Sequence, residues 1–79
     1  MKKVLDLLQE LYPDFADEFA TSDDFISDGL LDSFAIQLLF NAIDEEYGVQ
    51  LRGSDLTPQN FASLDAIRDM LAAHGVTDV

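Results

Sequence analysis

Apolar residues recur at the spacing of an amphipathic helix in three segments of the chain. Residues 4–12 (VLDLLQELY) place apolar side chains on one side and polar ones on the other, and the following Pro13 ends the pattern. Residues 33–47 repeat the same period and are followed by Gly48, a residue typical of helix C-termini. A third pattern, over residues 63–75, opens on a serine suited to an N-cap and stops at a glycine. The sequence therefore predicts three longer helices.

Two connections join these helices. Residues 13–32 are rich in Asp, Ser and Thr but contain several large apolar residues, so we expect this connection to pack onto the core. The spacing of Phe15 and Phe19 permits a short helical turn within it. In residues 57–61 (TPQNF), threonine is suited to an N-cap and proline to the first position of a short helix. We predict an all-α fold in one domain spanning residues 1–79: a small four-helix bundle of three longer helices and one short helix, with a long loop between the first two.

The second predicted helix has one apolar face and one mixed face. The residues expected to face the core are Ile36, Leu39, Phe40, Ala42, Ile43 and Tyr47. The polar residues on the opposite side are Gln37, Asn41, Asp44 and Glu45. Phe34 and Leu38 lie among these polar residues, and an apolar patch rimmed by charge typically marks a docking surface. The alternative is that the connection carrying Phe25 and Leu30 covers both side chains.

The composition is that of a small folded protein. Hydrophobic residues make up 48% of the 79 positions, which is too apolar for a disordered chain, and there is no cysteine. No apolar run approaches the roughly 20 residues of a membrane span, and acids occur too early in the sequence for a signal peptide. We therefore expect a cytoplasmic protein that is not embedded in a membrane.

Negative charge is distributed unevenly along the sequence. Sixteen acids face four bases, and the stretch from Val4 to Leu51 contains twelve acids and no base. Such a surface repels nucleic acid and anionic lipid and attracts basic protein surfaces. Solubility alone is the simpler explanation of the excess charge.

Ser33 and His74 are the candidates for nucleophilic catalysis. His74 is the only histidine and falls in the last turn of the third predicted helix, where a cation favours the helix dipole and can cap carbonyls. Nothing in the sequence orients it toward Ser33, as a catalytic triad requires. A small hydrolase is therefore only a third hypothesis.

The acidic stretch SDDFISDGLLDS does not fit a calcium-binding loop. Counted from Asp24, Asp28 and Gly29 fit positions 5 and 6 of an EF-hand loop. Ile26 and Ala35 occupy positions 3 and 12, where oxygen ligands are needed. We expect no specific metal site.

Ser33 itself lies in the stretch DGLLDSF at the start of the second predicted helix. Either Asp32 or Ser33 could be the N-cap. If Asp32 caps the helix, the Ser33 hydroxyl is left free at the positive end of the helix dipole, which favours a phosphate group. The alternative is a small acidic protein–protein interaction module in which Ser33 is only a helix cap.

The stretch DGLLDSF, the amphipathic helix ending in DEEYGV and the segment TPQNFASLDAI together resemble the phosphopantetheine carrier proteins over essentially the whole chain. That family includes acyl, peptidyl and D-alanyl carrier proteins. The resemblance implies that a phosphopantetheinyl transferase joins 4′-phosphopantetheine from coenzyme A to Ser33 through a phosphodiester. It also implies that Asp32 helps to position the transferase's metal and cofactor. The protein would be a monomer and not an enzyme.

The resemblance further implies a cargo and a set of partners. An adenylating or acyl-loading enzyme would place an acyl or aminoacyl group on the arm's thiol, and downstream transferring enzymes would remove it. The face implied for binding these enzymes consists of Phe34, Gln37, Leu38, Asn41, Asp44 and Glu45.

The stretch around Ser33 also indicates which carriers the chain resembles most. Phe34 follows the serine directly and Gly29 precedes it by four residues, which resembles the D-alanyl and related free-standing carriers more than the fatty-acid carrier. Ala35 and Leu38 stand on the expected outward face where fatty-acid carriers tend to have acids. We therefore expect a specialised pathway, in polyketide or nonribosomal synthesis or in D-alanylation. The bulky residues expected in the core favour a short acyl or amino-acid cargo; they are Phe40, Ile43, Tyr47 and Phe61.

Overall fold

The computed structural model describes residues 2–79, and this part of the chain is helical with no strand. The α-helices are α1 (Val4–Leu11), α2 (Ala16–Thr21), α3 (Ser33–Tyr47) and α4 (Leu64–Ala73). Short 3₁₀ helices occupy Pro13–Phe15, Gly53–Asp55 and Pro58–Phe61. The all-α prediction is confirmed. No helix within residues 2–79 combines the length and the apolar character needed to cross a membrane.

The three longer helices begin and end where their local signals indicate. Helix α3 spans the predicted residues because Asp32 caps its start and Gly48 ends it with a φ of 61°, a left-handed conformation that glycine adopts without steric cost. Helix α4 starts after Ser63, whose hydroxyl oxygen accepts a hydrogen bond from the Ala66 N–H at 3.0 Å. The predicted short helix is the 3₁₀ helix Pro58–Phe61, although the side chain preceding it makes no capping bond.

The connection between α1 and α3 packs onto the core, as predicted. Phe19, in α2, and Phe25 are fully buried, and Leu31 is only 3% exposed. The Phe25 N–H donates to the Ala62 carbonyl at 2.6 Å, and the Phe25 carbonyl accepts from the Leu31 N–H at 3.1 Å. These bonds fix the chain just before α3 to the segment just before α4. Phe15 lies 46% exposed and is not part of the core.

One continuous core joins the helices. Its fully buried large side chains are Val4, Leu8, Phe19, Phe25, Leu39, Ile43, Phe61, Ile67 and Leu71. The rings of Phe19 and Phe25 meet edge to face, with centroids 5.1 Å apart and an interplanar angle of 78°, the arrangement that aromatic pairs favour. Ala35, which we expected on the outward face, is buried at 7% exposure. At about 100° per residue it lies only about 40° from Leu39, so it belongs to the edge of the apolar face.

The C-terminal end of α3 is bound to the start of the chain. The Tyr47 hydroxyl donates to the Lys2 carbonyl at 2.6 Å, and the Lys2 N–H donates to the Glu46 carboxylate at 3.1 Å. Burial, together with the charges of Glu46 and Asp6, raises the pKa of Tyr47 to about 12.

We expect Tyr47 to make folding stability fall between pH 10 and pH 12. Its folded-state pKa of about 12 exceeds the ordinary value of 10.0. The unfolded state therefore loses the phenol proton first, so the stabilisation is complete below pH 10 and disappears as the pH rises through the folded-state pKa. Urea unfolding between pH 8 and 12 should show a steeper loss for the wild type than for Tyr47→Phe. Parallel curves for the two proteins would contradict the expectation.

Candidate functional site

Helix α3 is capped by Asp32 and not by Ser33. Asp32 has the extended backbone of an N-cap, and its Oδ1 accepts a hydrogen bond from the Ala35 N–H at 2.8 Å. Its carbonyl accepts the first bond of the helical ladder, from the Ile36 N–H, also at 2.8 Å. Ser33 is thus the first residue of the helix, and its hydroxyl is not needed for the cap.

The Ser33 side chain is exposed, and no hydrogen bond within residues 2–79 uses its hydroxyl. It stands at the positive end of α3, a helix of 15 residues, where exposed N–H groups and the helix dipole favour an anionic group. The hydroxyl is therefore free for covalent attachment, and a phosphate joined to it would meet a favourable field from the helix.

Replacing Asp32 should separate its capping role from its charge. Asp32→Ala is expected to lower the free energy of unfolding by about 1 kcal/mol, the usual cost of losing a cap side chain. Asp32→Asn should remain close to the wild type, because asparagine caps about as well as aspartate. Urea denaturation of the three proteins measures both effects. Equal stability of Asp32→Ala and the wild type would show that the bond to Ala35 contributes nothing.

An apolar pair stands beside Ser33 on the outer face of α3. The side chain of Phe34 is 71% exposed and that of Leu38 is 41% exposed, while Phe25 in the preceding connection is fully buried. The alternative in which that connection covers Phe34 and Leu38 is therefore wrong. The other residues predicted for this face that are also exposed are Gln37, Asn41 and Glu45. At about 1.5 Å per residue, the surface from Phe34 to Glu45 runs about 17 Å along the helix, apolar near Ser33 and acidic at the far end.

Asp44, also predicted for this face, is half-buried and lines a separate cleft with Gln50, Leu51, Arg52, Ser54, Asp55, Ala73 and His74. In that cleft the His74 Nε2 lies 3.0 Å from an Asp55 carboxylate oxygen, which also accepts a bond from the Arg52 N–H at 2.8 Å. The hydrogen bond from the Arg52 N–H lowers the pKa of Asp55 below its ordinary value, and the hydrogen bond with His74 lowers it further by a smaller amount.

The His74 side chain contacts Asp55 and not Ser33. It follows the last residue of α4, as predicted for a helix-terminal histidine. Its carboxylate partner precedes it by 19 residues, a separation at which sequence periodicity carries no signal. The contact binds the segment after α3 to the end of α4 and does not involve Ser33, so it gives no support to a hydrolase.

Two acids in the connection before α3, Asp24 and Asp28, form hydrogen bonds with the chain around them. The Asp24 carboxylate accepts hydrogen bonds from the backbone N–H groups of Ser27 and Ile26. Both bonds lower the pKa of Asp24, and the bond from Ser27 has the larger effect. The Ser22 hydroxyl donates to the Asp28 carboxylate. Within residues 2–79, no group of three or more His, Cys, Asp or Glu side chains is placed to hold a metal ion.

The site therefore consists of three parts at the start of α3. The Ser33 hydroxyl forms no hydrogen bond within residues 2–79, the Asp32 carboxylate before it caps the helix, and the exposed apolar side chains of Phe34 and Leu38 follow it. The site can accept a covalent group and present that group beside a surface suited to transient protein contact. The chain matches no protein-family model, and no curated protein or solved structure is detectably similar to it.

Proposed function

We propose that this protein is a carrier that holds acyl or aminoacyl intermediates on a 4′-phosphopantetheine arm attached to Ser33. The observation that supports this most directly is that Asp32, and not Ser33, caps the start of α3. Asp32 supplies the cap, with its Oδ1 2.8 Å from the Ala35 nitrogen, and the exposed Ser33 hydroxyl serves no structural purpose. A serine whose hydroxyl stabilises nothing in the fold can be modified without disturbing it.

The proposed attachment uses the Ser33 oxygen as nucleophile. Ser33 Oγ would form a bond to the phosphorus that bears the pantetheine of coenzyme A, and the bond from that phosphorus to the oxygen it shares with the 5′-phosphate of the nucleotide would break. The hydroxyl proton would pass to a base of the transferase, and the nucleotide 3′,5′-bisphosphate would depart with the shared oxygen. One carboxylate oxygen of Asp32 accepts the cap bond from the Ala35 N–H. The other would be available to the metal of the transferase, the role that the family resemblance implies for this residue.

The bound arm would supply a thiol that holds its cargo as a thioester. The chain contains no cysteine, so a thioester on the arm has no protein thiol to which it could migrate. The protein contributes a fixed point of attachment and a surface for recognition, and no catalytic group.

The surface beside Ser33 is suited to partners with an apolar pocket surrounded by basic side chains. Phe34 and Leu38 provide apolar area, and residues 4–51 contain twelve acids and no Lys or Arg. Electrostatic steering speeds such encounters, and a small contact area keeps them short-lived. The proposed partners are a phosphopantetheinyl transferase, an adenylating or acyl-loading enzyme and downstream transferring enzymes, and nucleic acid is not among them.

We also propose a cellular location, an oligomeric state, a helix arrangement and a pathway for the protein. We propose a cytoplasmic monomer whose helices form a four-helix bundle. The pathway would be specialised, in polyketide or nonribosomal synthesis or in D-alanylation. The pathway assignment rests on the resemblance of DGLLDSF to the attachment sites of free-standing carriers, and the bundle rests on the helical patterns of the sequence.

The second candidate function is a small acidic interaction module that carries no prosthetic group. The exposure of Phe34 and Leu38 favours it equally, because an apolar pair on an acidic surface suits any basic partner. It differs from the carrier in leaving Ser33 unmodified.

Intact-mass spectrometry of the purified protein tests the carrier proposal. Incubation with a broad-specificity phosphopantetheinyl transferase and coenzyme A should add one phosphopantetheine, and peptide mapping should place it on Ser33. Circular dichroism before treatment shows that the protein is folded. A folded protein that gains no mass would remove the carrier function and leave the interaction module.

A further inference from the structure

We infer that the cargo of the proposed carrier is a small acyl or aminoacyl group kept in solvent, because buried phenylalanine rings occupy the core beside the segment that leads to Ser33. This inference rests on the proposed function and adds the substrate class to it. The residues that set the limit are Phe19, Phe25 and Phe61, all fully buried.

Backbone hydrogen bonds join Phe25 to the segment just before Ser33. The Phe25 carbonyl accepts bonds from the Leu30 N–H at 2.8 Å and the Leu31 N–H at 3.1 Å, and Leu31 precedes Ser33 by only two residues. The Phe25 N–H donates to the carbonyl of Ala62, the residue directly after Phe61. Phe25 thus joins the segment that leads into α3 to the segment that leads into α4.

The Phe25 ring belongs to a group of aromatic side chains that contact one another. The Phe25 ring packs edge to face on Phe19, with centroids 5.1 Å apart, and Phe19 in turn lies 6.0 Å from the ring of Tyr12. The radius of gyration of 11.3 Å is close to the value of about 11.6 Å expected for a compact chain of this length. The interiors of compact proteins generally hold few voids larger than a water molecule.

A long aliphatic chain that began at Ser33 and entered the core beside Phe25 would have to displace the ring of Phe19, Phe25 or Phe61. Each ring is fully buried, so its displacement would expose apolar surface that is now packed. A short acyl or aminoacyl group does not need the core, because it has little apolar surface to bury. A long acyl chain that stays outside this packed core gains no stabilisation from burial, so the packing favours short cargo.

A ladder of cargo lengths tests this inference on the wild-type protein. Acetyl, hexanoyl and decanoyl forms can be made by transferring the corresponding acyl-phosphopantetheine from acyl-coenzyme A and verified by mass. We expect their melting temperatures to agree within about 2 °C. A rise with chain length of about 4 °C or more, which for a domain of this size corresponds to up to about 1 kcal/mol of added stability, would show that the longer chains gain burial and would overturn the inference.

Variants of Phe25 test whether its ring sets the limit. Phe25→Ala should gain a chain-length dependence, with the decanoyl form melting at least about 4 °C above the acetyl form. If that variant does not fold, Phe25→Leu keeps most of the packing and should show the same trend in smaller measure. Phe15→Ala, which removes a ring that is 46% exposed in the same connection, is the matched control and should show no trend. Absence of the trend in a folded Phe25 variant would remove the role assigned to this ring.

The two proposals fail in different ways. If no phosphopantetheine is attached to Ser33, the carrier function itself fails at the first mass measurement. If the arm is attached and long chains stabilise the wild type, the carrier function stands and only the inference about cargo is lost.

Discussion

Ser33→Ala is expected to abolish attachment of phosphopantetheine and to leave the free energy of unfolding within about 0.5 kcal/mol of the wild type. The loss of attachment is complete because the hydroxyl oxygen is the atom that forms the bond. The stability is preserved because the cap bond, 2.8 Å long, joins Asp32 to the Ala35 N–H and does not involve Ser33. Intact mass after transferase treatment and urea denaturation measure the two quantities.

Ser54→Ala is a suitable control for this experiment, since it removes another exposed serine hydroxyl far along the chain. It should take up phosphopantetheine at the wild-type rate. Attachment that persists in Ser33→Ala would place the modified residue elsewhere. A loss of about 1 kcal/mol or more in Ser33→Ala would instead mean that Ser33 acts as a cap.

Phe61→Ala is expected to lower the free energy of unfolding by about 3–5 kcal/mol, the usual cost of truncating a buried phenylalanine. Phe61 is fully buried and ends the 3₁₀ helix Pro58–Phe61. Its ring contributes to the one core that the helices share, so no separate cluster can compensate. Small domains are typically stable by about 5–15 kcal/mol in total, so this single change should remove a large part of the margin.

Urea denaturation gives the measurement, and Phe34→Ala gives the matched control. Phe34 is 71% exposed, so its truncation should change the free energy of unfolding by no more than about 0.5 kcal/mol. A loss below about 1 kcal/mol for Phe61→Ala would show that the core repacks around the missing ring.

The parts of the fold that could be predicted from the sequence are those defined by local chemistry. Helix α3 was predicted from residue 33 to residue 47, because an aspartate and a serine open it and a glycine closes it. The helical period placed Phe34 and Leu38 on the outward side of α3, but it left open whether the preceding connection covers them, and only the structure shows that both are exposed. The choice between Asp32 and Ser33 as the cap did not follow, since both residue types cap well and only geometry separates them.

The parts that could not be predicted depend on contacts between distant segments. Helix α2 was expected only as a turn, because six residues without a capping side chain give too short a pattern. Ala35 was placed on the wrong side because alanine fits either face, and its burial depends on what packs over the edge of α3. The pairing of His74 with Asp55 joins two turns that no sequence period relates.

Both ends of α3 are fastened to the rest of the molecule. Tyr47 and Glu46 bind Lys2 at one end, and the bonds of Phe25 to Leu30 and Leu31 hold the approach to the other. These bonds anchor the backbone that carries Ser33. An arm attached there would move by rotation about the bonds of the Ser33 side chain and of the arm itself, on the picosecond-to-nanosecond scale of exposed side chains. The distance over which cargo travels between partners would then be set by the length of the arm and not by motion of the fold.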